Sequence, residues 1–225
     1  MPTTLIPPRL TEGDRVRLVS PASYPSEELL AESARVPESW GLVPEVGAHA
    51  LDRRGFLAGR DEDRAADLNE AYRDPGVRAL FATRGGAGAY RIVDLVDYDA
   101  VRADPKPLVG FSDITALHLA LWRNCRIAGV HGFLSGARSA ESTRALLTGA
   151  GAVLRRDPAA LTAAVGFPGA ASGPVLGGHL GTVAGTWARW RARWARGCRR
   201  WTARSCSWRP RAASGWGRWT GSSPS

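Results

Sequence analysis

"PLVGFSDITALHLALW", residues 107–122, decides the fold. It opens with a short apolar run closed by glycine, which suits a buried strand. The "GFSD" at 110–113 is a sharp turn, and the apolar run behind it is helix-forming. A strand that passes through a tight turn directly into a helix is the repeating unit of a parallel α/β sheet.

The same alternation extends upstream. "VRALFATRGGAGAYRI" (77–92) holds a buried-type strand, "ALFAT", that runs into a glycine loop. "DEDRAADLNEAYRDP" (61–75) reads as a helix, with acids in its first turn to complement the dipole and a stop at Pro75. "RVRLVSPAS" (15–23) is a strand that ends in small and turn residues. "SEELLAESARVPESWGL" (26–42) has helix-forming composition with a late interruption at Pro37, and "VPEVG" (43–47) follows as a second strand. In such sheets ligand sites gather at the carboxyl ends of the strands. Both "GFSD" and the glycine loop fall at such ends.

The "GFSD" turn supports two readings. A Ser on a strand-to-helix turn exposes its hydroxyl, and the helix behind it offers free backbone N–H groups to a developing oxyanion. That is the geometry of a nucleophile elbow, although Ile114 stands where the common pattern has glycine. The plainer reading is a helix cap, with Ser112 or Asp113 capping a helix that begins at Ile114. The "TRGGAGAYR" loop (83–91) is open in the same way. Gly85, Gly86 and Gly88 after Arg84 leave bare backbone that can approach a ligand. The spacing matches neither a dinucleotide fingerprint nor a phosphate loop, and a simple glycine turn would look alike.

Composition bounds the class. The 225 residues are 44% hydrophobic and 23% charged, ordinary for a globular protein. The net charge of +9 is unevenly placed. Residues 186–225 carry ten Arg and no acid, so the first 185 residues hold 20 basic and 21 acidic side chains. Three Cys, of which two (Cys198 and Cys206) fall in the tail, give neither a disulfide framework nor a metal-ligand cluster. No basic-then-apolar leader opens the chain, and no run approaches the roughly 20 apolar residues of a membrane span. The expected location is cytoplasmic.

Taken together, "SPAS", "GRDEDRAADLNEA", "ATRGGAGAYR", "KPLVGFSDITALH", "HG" and "GPVLGGHL" resemble the LD-carboxypeptidase family of serine peptidases, which includes the microcin C self-immunity peptidases. The resemblance runs from about residue 10 to about residue 185. It implies an α/β nucleophile domain built on a parallel sheet, expected over 1–165, and the start of a smaller C-terminal domain over 166–186. It also implies hydrolysis of the bond before a C-terminal D-amino acid in cell-wall tetrapeptides, as in peptidoglycan recycling, or cleavage of a peptidyl-nucleotide in the immunity branch. No metal and no organic cofactor is implied, the partner is a small peptide substrate, and a homodimer is compatible with the family.

The resemblance assigns roles by position. Ser112 matches the nucleophile. The backbone N–H of Asp113 and that of Gly86 match the oxyanion hole. Arg84, Gly85 and His131 stand on the substrate side, His131 with Gly132 as the "HG" element. His179 departs from the family's usual "GGN", where Asn is commoner.

A serine hydroxyl needs a base, and the base an orienting carboxylate. The resemblance places both after the "GG" segment, yet no Asp or Glu follows Asp157 and the last His is His179. Residues 187–225 read instead as an aberrant Arg/Trp-rich tail. Trp has one codon, TGG. With GC-rich codon choices, a one-base slip turns "RSCSWR" (204–209) into an apolar strand ending in Glu. The expectation is therefore a frameshifted, poorly ordered remnant of the second domain and a peptidase inactive as written. The rival is a non-catalytic binder, holding a peptide in the body or nucleic acid on the tail. Arg with interleaved Trp suits phosphates and bases, but no nucleic-acid motif supports it, and neither nucleic-acid nor membrane partners are expected.

Overall fold

The computed structural model describes residues 4–132, 134, 137–149, 158, 159, 161, 172, 173 and 175–185. The 187–225 tail and the 165/166 domain limit lie outside them. Five strands form one sheet: β1 (Arg15–Val19), β2 (Val43–Val46), β3 (Val77–Ala82), β4 (Leu108–Gly110) and β5 (Val130–His131). Their spatial order is β2-β1-β3-β4-β5 and every pairing is parallel. The helices are α1 (Glu27–Ser39), α2 (Asp61–Arg73), α3 (Tyr98–Ala103), α4 (Thr115–Cys125) and α5 (Ala137–Thr148).

The two-residue period of a strand sends alternate side chains to opposite faces, and both faces here are covered. Leu80 and Ala82 of β3 pack with Leu68 and Tyr72 of α2 and Leu117 and Leu121 of α4. Ala79 and Phe81 of the same strand pack with Leu30 of α1 and Leu147 of α5. Burial on both faces is what a parallel sheet requires. The chain leaves β1 toward β2, then returns to the other side of β1 as β3. That reversal opens a crevice at the carboxyl ends of β1 and β3, where α/β sheets bind ligands.

Two of the helices, α1 and α3, differ from the sequence reading, and β5 and α5 fall in a stretch it left unassigned. α1 continues through Pro37 to Ser39, because a proline in the last turn removes only one N–H bond, and the Pro37 carbonyl still accepts from Trp40 and Leu42. α3 was not anticipated, although the Asp97 carboxylate caps it by accepting from the Ala100 N–H at 3.0 Å. α2 ends at Arg73, just before Pro75 as the sequence reading has it, and its free carbonyls are met by a buried lysine. The Lys106 ammonium, fully buried, donates to the carbonyls of Ala71, Tyr72 and Asp74 at 2.9, 2.8 and 2.5 Å. Among the described residues no helix is long and apolar enough to cross a membrane.

His118 gives the fold a pH dependence. Its ring lies in α4 against Gly129, and Nε2 bonds the Leu108 carbonyl at 3.0 Å. Burial pushes its pKa down to about 4. The unfolded chain, with an imidazole near 6.5, therefore binds more protons between those values, and stability falls as pH drops through that window. The contribution is about 3 kcal/mol. Asp67 and Asp113, whose carboxyls burial pushes up, act in the opposite sense. Comparison with His118→Gln isolates the histidine. Urea midpoints should converge between wild type and variant as pH falls from 7 to 5. A difference that is the same at both pH values would rule the effect out.

Candidate active site

Ser112 sits where β4 turns into α4. Gly110 ends the strand, residues Ser112–Ile114 make one 3-10 turn, and α4 starts at Thr115. Ser112 has φ +54°, in the left-handed region. Among the described residues only Arg126 shares this without being glycine, and Arg126 simply terminates α4. A non-glycine residue held there costs on the order of 1–3 kcal/mol, and such strain concentrates at functional sites.

The turn does not serve as a helix cap. Among the described residues neither the Ser112 hydroxyl nor the Asp113 carboxylate accepts a hydrogen bond from the first turn of α4. The Asp113 carboxylate instead reaches across to the next loop and accepts from the Ala89 N–H at 2.7 Å. Burial pushes this carboxyl above its usual range, while the Ala89 N–H and the charges of Arg64 and His179 pull it back.

The glycine loop after β3 lies against Ser112. A Cβ added at Gly85 would fall 2.7 Å from the Ser112 Cβ and 3.2 Å from its Oγ, so only glycine fits. Gly86 has φ +108°, and a Cβ there would fall 2.2 Å from the Ser23 Oγ. That hydroxyl accepts from the Ala87 N–H at 3.3 Å, and the Ser23 N–H donates to the Gly85 carbonyl at 3.3 Å. The loop after β1 thus holds the loop after β3. Among the described residues no hydrogen bond is seen from the Gly86 or the Asp113 N–H.

Sequence reasoning missed the residue that joins these loops. Arg64 of α2 is 1% exposed. Its guanidinium donates to the Pro21 carbonyl at 2.6 Å, to the Gly88 carbonyl at 3.2 Å and to the Asp61 carboxylate. Asp61 also pairs with Arg91, and Arg91 foremost holds its carboxyl below the usual range. An Arg inside a helix of surface composition carries no mark of this role. Only the packing of α2 under both loops reveals it.

The remaining candidates surround the turn at different depths. Arg84 is exposed and donates to the Tyr24 carbonyl at 3.1 Å. His131 lies opposite Gly110 in the β4–β5 pairing, and the Gly132 N–H donates to the Gly110 carbonyl at 3.1 Å. Partial burial, with His179 nearby, pushes the His131 imidazole down. The His179 N–H donates to the Thr115 Oγ1 at 3.0 Å, so its segment packs on the first turn of α4. The His179 Nδ1 faces the Thr182 hydroxyl at 3.2 Å and its N–H at 3.4 Å. Among the described residues neither an imidazole nor a carboxylate is hydrogen-bonded to the Ser112 hydroxyl.

One further cluster could hold a cation. His49, Asp52 and Asp63 bring ligand atoms within 4.8 Å of one another. They follow β2, with β1 and β3 between them and β4. They are already paired internally, His49 with Asp52 at 2.8 Å and Asp63 with Arg60 at 2.8 Å. They take no part in the serine turn.

The geometry is thus a serine in left-handed backbone at the head of a helix, with a glycine loop pressed against it. Such an arrangement can hold a tetrahedral oxyanion. The LD-carboxypeptidase N-terminal domain matches residues 16–132. A Streptomyces coelicolor protein named, by inference, a carboxypeptidase is 43% identical over 189 residues, 79% of this chain and 60% of that one. The murein tetrapeptide carboxypeptidase of Pseudomonas aeruginosa is 35% identical over 119 residues, 52% of this chain and 38% of that one. The crystal structure of an MccF-like protein from Bacillus anthracis superposes with a TM-score of 0.58 at 28% identity, covering 64% of this chain and 47% of that one. The chain therefore matches about half of the length of these relatives.

Proposed function

The chain belongs to the LD-carboxypeptidase family, and from that premise we propose that the Ser112 site takes the carboxyl-terminal end of a murein tetrapeptide. Ser112 is the attacking hydroxyl. Its Oγ adds to the carbonyl before the terminal D-residue, and the resulting oxyanion faces the N–H groups of Asp113 and Gly86. A base must take the serine proton, and the leaving amine must receive one. The Asp113 carboxylate keeps the hole in shape by holding Ala89. The observation that carries this reading is the left-handed Ser112 backbone set against Gly85, at the carboxyl end of a parallel strand.

No acidic residue follows Asp157 in the sequence. For the 225-residue chain the proposal is therefore substrate binding with little turnover. Calorimetric titration tests the binding half. The peptide L-Ala-D-Glu-meso-diaminopimelate-D-Ala should bind at least about tenfold tighter than the same peptide ending in L-Ala, a difference of about 1.4 kcal/mol. Equal binding of the two would remove the reading.

A further inference from the structure

The turn after β2 and the first turn of α2 bring His49, Asp52 and Asp63 together, with ligand atoms within 4.8 Å of one another. The His49 Nδ1 stands 2.8 Å from the Asp52 Oδ2. Asp52 packs on Gly59, where an added Cβ would fall 2.9 Å from the Asp52 Cβ. Behind the three lies Asp67 of α2, only 3% exposed. Both of its carboxylate oxygens accept from the His49 N–H, at 3.1 and 3.3 Å. Its Oδ2 takes the space that a Cβ on Gly47 would need, 2.5 Å away. Among the described residues no ion pair reaches this buried carboxylate, and a buried charge without a partner is costly. Three carboxylates thus surround one imidazole. Arg60 pairs with Asp63 through two bonds of 2.8 Å, but its side chain is 66% exposed.

We infer that His49, Asp52 and Asp63 form a binding site for a divalent transition-metal ion of the zinc type, with the buried Asp67 behind it balancing the ion's charge and fixing the His49 backbone. Zinc accepts imidazole nitrogen and carboxylate oxygen at about 2.0–2.2 Å and can take water as a fourth ligand. Ligand atoms around such an ion lie about 3.4 Å apart, so a set already within 4.8 Å closes by a shift of about 1.4 Å or less. Magnesium and calcium favour an all-oxygen shell and gain nothing from the imidazole. His49 and Asp52 are partly exposed, which leaves the ion a path of entry. Exposed ion pairs are worth little, so the ion displaces Arg60 from Asp63. Bound there, it clips the turn after β2 to the first turn of α2, one residue before Arg64, whose guanidinium holds the loops after β1 and β3. The inference does not depend on the peptidase reading.

Calorimetric titration of the full 225-residue chain with zinc chloride tests the site. Asp67→Asn keeps the shape and removes the charge, and it should weaken zinc about 10- to 100-fold, the usual cost of losing a group behind the ligands. His49→Ala and Asp63→Asn each remove a ligand and should cost at least about 100-fold. Arg60→Gln removes the competing cation and should tighten zinc about two- to fivefold. Zinc should also raise the urea midpoint of the wild type and leave that of His49→Ala unmoved. Magnesium chloride at the same concentration should do neither. A wild type that takes up no zinc overturns the inference. So does zinc uptake that His49→Ala and Asp63→Asn leave unchanged, since the ion would then sit on other groups, such as the cysteines.

Discussion

Release of D-alanine from a murein tetrapeptide by the 225-residue chain should stay at or below about 10³–10⁴ times the uncatalysed rate, the level that an oxyanion hole and binding sustain without a working triad. Working enzymes reach 10⁶-fold and far beyond. The gap comes from the serine proton. Of the four histidines, His118 is buried with its Nε2 on a backbone carbonyl, and His49 is paired with Asp52 beyond β1 and β3. His131 is pushed down toward its neutral form by partial burial. His179 comes nearest to the part, since its segment is tied to Thr115 and it lies within electrostatic reach of Asp113. Its Nδ1, however, faces the Thr182 N–H, which favours the tautomer with the proton on Nε2. A base needs that nitrogen bare. Chromatographic detection of free D-alanine measures the rate. Turnover at an enzymatic level that disappears in Ser112→Ala would refute this account, and His179→Gln would then show whether His179 supplies the missing base.

Arg64→Ala should cost about 3–5 kcal/mol of folding stability, the usual penalty for removing one side of a buried charged contact. A domain of this size has only about 5–15 kcal/mol in total. The substitution strands the Pro21 and Gly88 carbonyls, leaves the Asp61 carboxylate with Arg91 as its remaining cation, and empties space under the loops. Arg64→Met restores volume without the donors and should recover only part of the loss. Urea unfolding with an unchanged slope reads the difference. A loss under about 1 kcal/mol in Arg64→Ala would mean that the loops after β1 and β3 hold themselves.

Much of this protein was legible in one dimension because its causes are local. The alternation of Val16, Leu18 and Val19, and of Ala79, Leu80, Phe81 and Ala82, follows from a two-residue period that must satisfy two buried faces. The tight turn at Ser112 follows from a glycine-ended strand that runs straight into a helix. The bareness of the glycine loop was visible in its composition. The sequence could not decide between a cap and an elbow at "GFSD", because both use the same residues. The decision came from outside the segment. Gly85 presses on Ser112, and the Asp113 carboxylate is drawn away to Ala89, 24 residues upstream.

Arg64 was placed in the same way by tertiary structure. A charged side chain on a helix reads as solvated surface until packing assigns it a neighbour. Nothing in residues 61–73 distinguishes Arg64, which ends buried against two backbone carbonyls, from Arg73, which ends exposed on Asp97. Periodicity reports which face of a helix is apolar. Which loops that face supports depends on the order β2-β1-β3-β4-β5, in which the crossover past β1 sets β3 between β1 and β4.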